Sequence, residues 1–146
     1  KKLGFEGTVE GDPELIDDML DTLEILHVDY TLFFRTLSHY DGNREAILNT
    51  CLYHEPMNTW LDRYDERVAP ISFKQRHTQM LRANPKYVLK NYMLQEAIEK
   101  AEEGDFTLVD TLFTLAQNPF DEHSEYEKYS QATPQAFKNK TLSCSS

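Results

Sequence analysis

The residues in this chain that could do chemistry are two cysteines, five histidines and a surplus of carboxylates. Cys144 sits in Ser143-Cys144-Ser145-Ser146, with no apolar neighbour to pack it. A thiol in that setting is placed for thiol–disulfide exchange, which needs access and partial thiolate character. An incidental cysteine in a polar stretch is the plainer alternative. Cys51 lies close to Leu48 and Leu52 and reads as a small buried hydrophobe. The histidines (His27, His39, His54, His77, His123) lack the short His-to-His spacing of a metal site. His123, among Asp121, Glu122 and Glu125, could help gather a divalent cation, but a solvated acidic loop is the simpler reading. Trp60, Arg63, Tyr64 and Arg67 fall within two helical turns. They read either as an aromatic–cation surface or as a packed tryptophan with flanking ion pairs. The glycines are scattered and form no phosphate-cradling loop.

The composition narrows what such residues could serve. A chain of 146 residues can bury a real core, and 40% hydrophobic with 27% charged residues is ordinary for a globular protein. The formal net charge of −10 opposes binding to nucleic acid or to an anionic membrane surface. No apolar run approaches the roughly 20 residues that cross a bilayer, and no signal-peptide pattern is visible. Two cysteines make no disulfide framework, so a reducing cytoplasm is expected. Because the sequence opens on Lys1, it is expected to be either a processed chain or, more simply, a piece of a longer protein.

The elements that must position these residues are helical. Asp12-Pro13 reads as an N-cap followed by a first-turn proline. Beyond it, Leu15, Ile16, Met19, Leu20, Leu23 and Leu26 form an apolar side opposite Asp17, Asp18, Asp21 and Glu24. Asp29 caps a second helix whose Tyr30, Phe33, Phe34 and Leu37 point inward. A third helix is expected over Arg44 to Leu52, and a fourth from about Pro56 to Val68. Ser72 caps a fifth, which runs to Arg82. Asn84 is expected to cap a sixth helix with Pro85 at its first position, and Tyr87, Asn91, Leu94, Ile98 and Ala101 should be its inner stripe. Gly104 ends that helix and Asp105 caps a seventh, with Val109, Leu112, Phe113 and Ala116 facing inward. The fold class is all-α, about seven helices. After Phe120 the sequence turns polar. Composition alone reads as a disordered tail, but a tail laid across the helices by Tyr126, Tyr129, Phe137 and Leu142 is expected.

Several segments, taken in order, resemble the SelO/YdiU family. They are Lys2-Leu3-Gly4, then Asp29-Tyr30-Thr31 with Phe34-Arg35 and Leu37, then Trp60-Leu61 with Tyr64 and Arg67. Met80 follows, with Asn84-Pro85-Lys86-Tyr87-Val88-Leu89-Lys90-Asn91-Tyr92, then Gln95, Ala97-Ile98, Ala101 and Gly104-Asp105-Phe106. Asn118-Pro119-Phe120-Asp121 and the terminal Ser143-Cys144-Ser145-Ser146 complete the set. The Asn-Pro-Lys-Tyr-Val-Leu run together with Cys-Ser-Ser is specific; Gly-Asp-Phe alone is weak. Lys90 stands where the family favours arginine, and Tyr92-Met93 where a bulkier or more apolar pair is common.

The resemblance implies a kinase-like protein adenylyltransferase that binds ATP in a flipped pose. It would transfer AMP to Ser, Thr or Tyr of proteins with Mg²⁺ or Mn²⁺. The family's nucleotide-binding lysine, metal ligands and catalytic aspartate lie upstream of the segment in hand, so no catalytic, cofactor or metal residue is assigned in this chain. The family's terminal redox residue maps onto Cys144, which in bacterial relatives can pair with a cysteine of the kinase-like part. On this reading residues 1–120 are a helical C-terminal domain and 121–146 a polar tail ending in the redox cysteine. Its partners are the upstream domain and the parent enzyme's protein substrates, with no nucleic acid and no membrane, in a bacterial cytoplasm. The competing expectation is a stand-alone helical module whose acidic face binds a basic protein.

Overall fold

The computed structural model describes residues 1–131, and every regular element among them is helical. The all-α expectation therefore holds over the described residues, whereas Phe137, Leu142 and Cys144 lie outside them. Contacts divide the chain into two compact units, Lys1–Asn84 and a second from Pro85 onward.

The first unit holds α1 (Asp12–Ile25), α2 (Tyr30–Ser38), the short α3 (Glu45–Leu48), α4 (Glu55–Val68) and α5 (Phe73–Ala83). Side-chain caps start two of these helices as the sequence suggests. Asp29 accepts from the Leu32 N–H, and Ser72 accepts from the Gln75 N–H. After α1, His27 takes a left-handed φ of 54°, and the N–H groups of His27 and Val28 return to the carbonyls of Glu24 and Leu23. That is a Schellman stop made without glycine.

α1 packs on α4 and α2 on α5. Their facing apolar stripes bury Leu15, Met19, Leu23, Phe33, Leu37, Met57, Leu61 and Met80 around Trp60 and Tyr64. Trp60 stacks on Tyr64 at 5.1 Å between ring centroids and meets Phe33 edge-on at 5.9 Å. Its indole N–H donates to the Leu15 carbonyl at 2.9 Å, so the one polar atom of a buried ring has a partner. The aromatic–cation cluster thus resolves into buried rings flanked by ion pairs, Arg63 with Asp18 and Arg67 with Asp12. Several expected details differ. Ile16, Leu20 and Tyr30 are exposed, because a narrower sector of each helix is covered than their spacing suggests. The third helix stops at Leu48, and Leu52 lies open.

Asp12 is not the cap of α1; Gly11, with φ 94°, holds that place. Asp12 is instead buried, accepting from the Val9 N–H at 2.9 Å and from Arg67 Nε at 2.7 Å, while the Arg67 guanidinium lies 4.4 Å from the Phe5 ring centre. The Arg67 hydrogen bond, then the Val9 N–H, hold the Asp12 carboxyl below its ordinary 3.8. A carboxyl depressed in the fold contributes stability above its unfolded value and loses it as pH falls through the folded one. Urea midpoints are therefore expected to fall as pH drops below 3.8, and Arg67→Ala should flatten that dependence. A variant with the wild-type acid slope would contradict the pairing.

The second unit holds α6 (Asn91–Glu102), α7 (Thr107–Gln117) and a kinked 3₁₀ segment (Ser124–Ser130). α6 packs on α7 around Tyr87, Tyr92, Met93, Ala97, Leu112, Leu115 and Tyr129, with Tyr126 partly buried beside them. Two of the expected tail anchors, Tyr126 and Tyr129, are thus seated. Gly104, with φ 88°, ends α6 as expected. The sixth helix, however, begins at Asn91, not after Pro85. Asn91 is exposed, Leu94 is only half buried, and Ile98 and Phe113 face solvent. Both helices are apolar over a wider arc than the small unit can cover. On α7 the spacing placed Leu112 inward, as it is, but also Val109, Phe113 and Ala116, which are exposed, while packing takes the edge that carries Leu112 and Leu115.

Candidate functional site

The segments that carry the family pattern come together as anchorages. In the first unit they hold the opening residues. Asn84, only 1% exposed, ends the unit with its side-chain amide donating to the Lys2 carbonyl at 2.9 Å and to Ser38 Oγ at 3.0 Å. Its own carbonyl accepts from Arg35 Nη1 at 2.9 Å. One residue along from Lys2, the Leu3 carbonyl accepts from the Tyr64 hydroxyl at 2.8 Å, and burial pushes that phenol up to about 12. Gly4 adopts φ +74°, and a Cβ there would run into the Arg76 side chain and stand 2.8 Å from Met80 Sδ. Only glycine supplies both that backbone angle and that close approach. Arg76 is itself buried, donating to the Tyr40 carbonyl at 2.9 Å.

A second anchorage lies in the other unit, where residues 85–90 form neither helix nor strand. The backbone N–H groups of Lys86 and Tyr87 both donate to the Pro119 carbonyl, at 2.8 and 3.1 Å. The Lys86 ammonium reaches Glu122 at 2.8 Å and Glu127 at 2.7 Å, and the Tyr87 hydroxyl donates to the Glu122 carbonyl at 2.6 Å. Burial works against the charge on Lys86, yet the bonds to Glu122 and Glu127 hold its pKa above the ordinary value. Asn84-Pro85-Lys86-Tyr87 and Asn118-Pro119-Phe120-Asp121, read as separate patches of sequence, are thus linked at Lys86, Tyr87 and Pro119.

The expected roles of the reactive groups can now be placed. Cys144, the redox candidate, lies outside the described residues. Cys51 is half buried, its thiol lies 3.5 Å from the Ile47 carbonyl, and burial pushes its pKa up, so it is a poor nucleophile. His123 packs on Tyr87 and its Nε2 lies 3.1 Å from the Asn118 carbonyl, while Glu122 is turned to Lys86. The carboxylates around His123 therefore do not converge on one point. Adenylyl transfer needs donors for a triphosphate and oxygen ligands for its cation. Among the described residues no three His, Cys, Asp or Glu side chains group as a metal requires, and the glycines do not gather in a loop. Among the described residues, no helix is long and apolar enough to cross a membrane.

Comparison with known proteins places this arrangement. The family model described as protein adenylyltransferase SelO matches residues 1–117. The chain belongs to the SelO family. SelO relatives include a protein nucleotidyltransferase YdiU of Vibrio vulnificus, 43% identical over 155 residues, which covers 100% of this chain and 32% of the relative. The YdiU protein of Vibrio cholerae is 44% identical, with 99% and 32% covered, and that of Myxococcus xanthus 41%, with 99% and 31%. The chain thus spans about a third of the length of these SelO relatives. Asn84, Lys86, Tyr64 and Gly4 all lie inside the matched residues, and each one ties segments distant in sequence. Reading the residues one at a time identified none of them as such; the only signal was their place in the family pattern.

Proposed function

We propose that this chain is the C-terminal helical region of a protein adenylyltransferase. On this reading the parent protein transfers AMP from ATP to Ser, Thr or Tyr hydroxyls of proteins, using Mg²⁺ or Mn²⁺ in an upstream kinase-like domain. The observation that carries the reading is the SelO match over residues 1–117, in a chain that covers a third of relatives named nucleotidyltransferases. The two anchorages support a scaffolding role, since they fix the backbone at Leu3-Gly4 and at Lys86-Tyr87 without offering a reactive group. Cys144 is the regulatory thiol in this proposal. A disulfide from it to the upstream domain would tether the tail and restrain the nucleotide cleft, in a bacterial cytoplasm where its redox state can change.

The test uses the full-length protein with ATP labelled at the α-phosphate and Mg²⁺ or Mn²⁺. Label is expected on protein hydroxyls with the parent and absent with the 146-residue chain, which should also show no saturable heat when titrated with Mg-ATP. Transfer by the parent is expected to depend on reductant, and Cys144→Ser should remove that dependence. A parent that transfers no label would overturn the adenylyltransferase reading. Saturable binding to the chain alone would overturn the placing of the nucleotide site upstream. Unchanged reductant dependence in Cys144→Ser would overturn the thiol assignment.

A further inference from the structure

Helix α7 has two apolar sides, and the second unit buries one of them. Leu112 and Leu115 face the core with Leu108 partly buried beside them. At about 100° per residue, Phe106, Val109 and Phe113 form a second strip roughly a third of a turn away. Phe106 is 59% exposed, Val109 41% and Phe113 64%. On α6, Ile98 is likewise 43% exposed, off the face that Tyr92, Met93 and Ala97 bury. Soluble proteins rarely leave contiguous aromatic surface open unless something binds there, and phenylalanine is enriched in the cores of interfaces.

Two observations select the occupant. The chain covers only 32% of its Vibrio relatives, so most of a SelO protein of that length is available to pack here. A second copy is disfavoured, because each chain carries a net charge of −10 and like charges repel. We propose that the strip formed by Phe106, the N-cap of α7, with Val109 and Phe113 on the helix is the seat for the upstream part of the parent SelO protein. That part would present an uncharged, apolar surface with room for two phenylalanine rings. The proposal rests on the reading of this chain as one region of a longer protein.

The experiment places a reporter thiol on the strip in the full-length protein, Phe113→Cys, with Leu52→Cys as reference because Leu52 is 76% exposed and lies in the first unit. Alkylation is followed by mass mapping, which separates the new thiol from Cys51 and Cys144. The Phe113→Cys thiol is expected to react more slowly than the reference by roughly tenfold or more, since a covered site reacts only when the interface opens. Equal rates would overturn the proposal. The 146-residue chain carrying Phe113→Cys should label fast at every protein concentration. Protection there that grows with concentration would assign the strip to a second copy, and protection independent of concentration would assign it to another part of the same 146-residue chain; either overturns the proposal. The labelled-ATP assay keeps the two ideas separate. A parent that transfers AMP but leaves the Phe113→Cys thiol open refutes only the seat, and a protected thiol in an inactive parent refutes only the reaction.

Discussion

Trp60→Ala is expected to lower the unfolding free energy by about 3–5 kcal/mol, the range seen when a large buried aromatic is truncated. A typical domain has only about 5–15 kcal/mol in all, so the variant should be partly unfolded under mild denaturant. Three contributions disappear together: the stack on Tyr64, the edge contact with Phe33, and the indole hydrogen bond to the Leu15 carbonyl. Trp60→Phe separates them. It keeps most of the ring's burial and loses only the indole bond, since the Leu15 carbonyl, inside α1, still takes the helical N–H four residues on, so its cost should be about 0.5–1.5 kcal/mol. Trp60 is the only tryptophan, which rules out tryptophan fluorescence for the variants; far-UV circular dichroism in urea follows the helices directly. Arg63→Ala is the surface control. Its pair with Asp18 is exposed on both sides, so it should cost no more than about 1 kcal/mol. If Trp60→Ala shifts the midpoint no further than Arg63→Ala, Trp60 is not at the centre of the first core.

The first unit was largely legible because its helices carry their own limits. Asp29 and Ser72 mark starts, and Asp17, Asp18 and Asp21 exclude one side of α1 from the core, so that the buried Leu15, Met19 and Leu23 fall within the side left over, though Ile16 and Leu20 at its edge stay exposed. The second unit lacks such limits. α7 has leucine on one side and phenylalanine on another, and no charge between them says which side a neighbour will take. The neighbours that decide it, Tyr87 and Tyr129, come from irregular or 3₁₀ backbone; the helical period named Tyr87 but set it in a helix that starts only at Asn91. The anchorages were legible only as a pattern. Lys86 carries no local sign that it will be buried between carboxylates, and its partner Glu122 lies 36 residues on. In the first turn of the helix expected there, a lysine reads as surface. Only the Pro119 carbonyl, which takes both backbone N–H groups, turns the ammonium toward Glu122 and Glu127.

Asn84 marks the sharpest difference between local pattern and fold, and it gives a test with opposite outcomes. By sequence, Asn-Pro reads as a cap followed by a first-turn proline, and at a cap aspartate performs about as well as asparagine. In the fold no helix starts there. Asn84 is extended, at φ −116° and ψ 104°, as a residue before proline prefers. Its amide is spent on the Lys2 carbonyl, 82 residues away in sequence, and on Ser38. Asn84→Ala removes both donors and leaves the Lys2 carbonyl without this partner, a cost of about 2–3 kcal/mol. Asn84→Asp should be worse at neutral pH, because it places an acceptor where two acceptors already point and buries a charge among them. The expected order of urea midpoints is therefore wild type, then Asn84→Ala, then Asn84→Asp. Lowering the pH should narrow the gap between the two variants, since protonation removes the charge and restores one donor. A variant Asn84→Asp as stable as wild type would mean that Asn84 caps a helix after all and that the opening residues are held by Tyr64 and Arg76 without it.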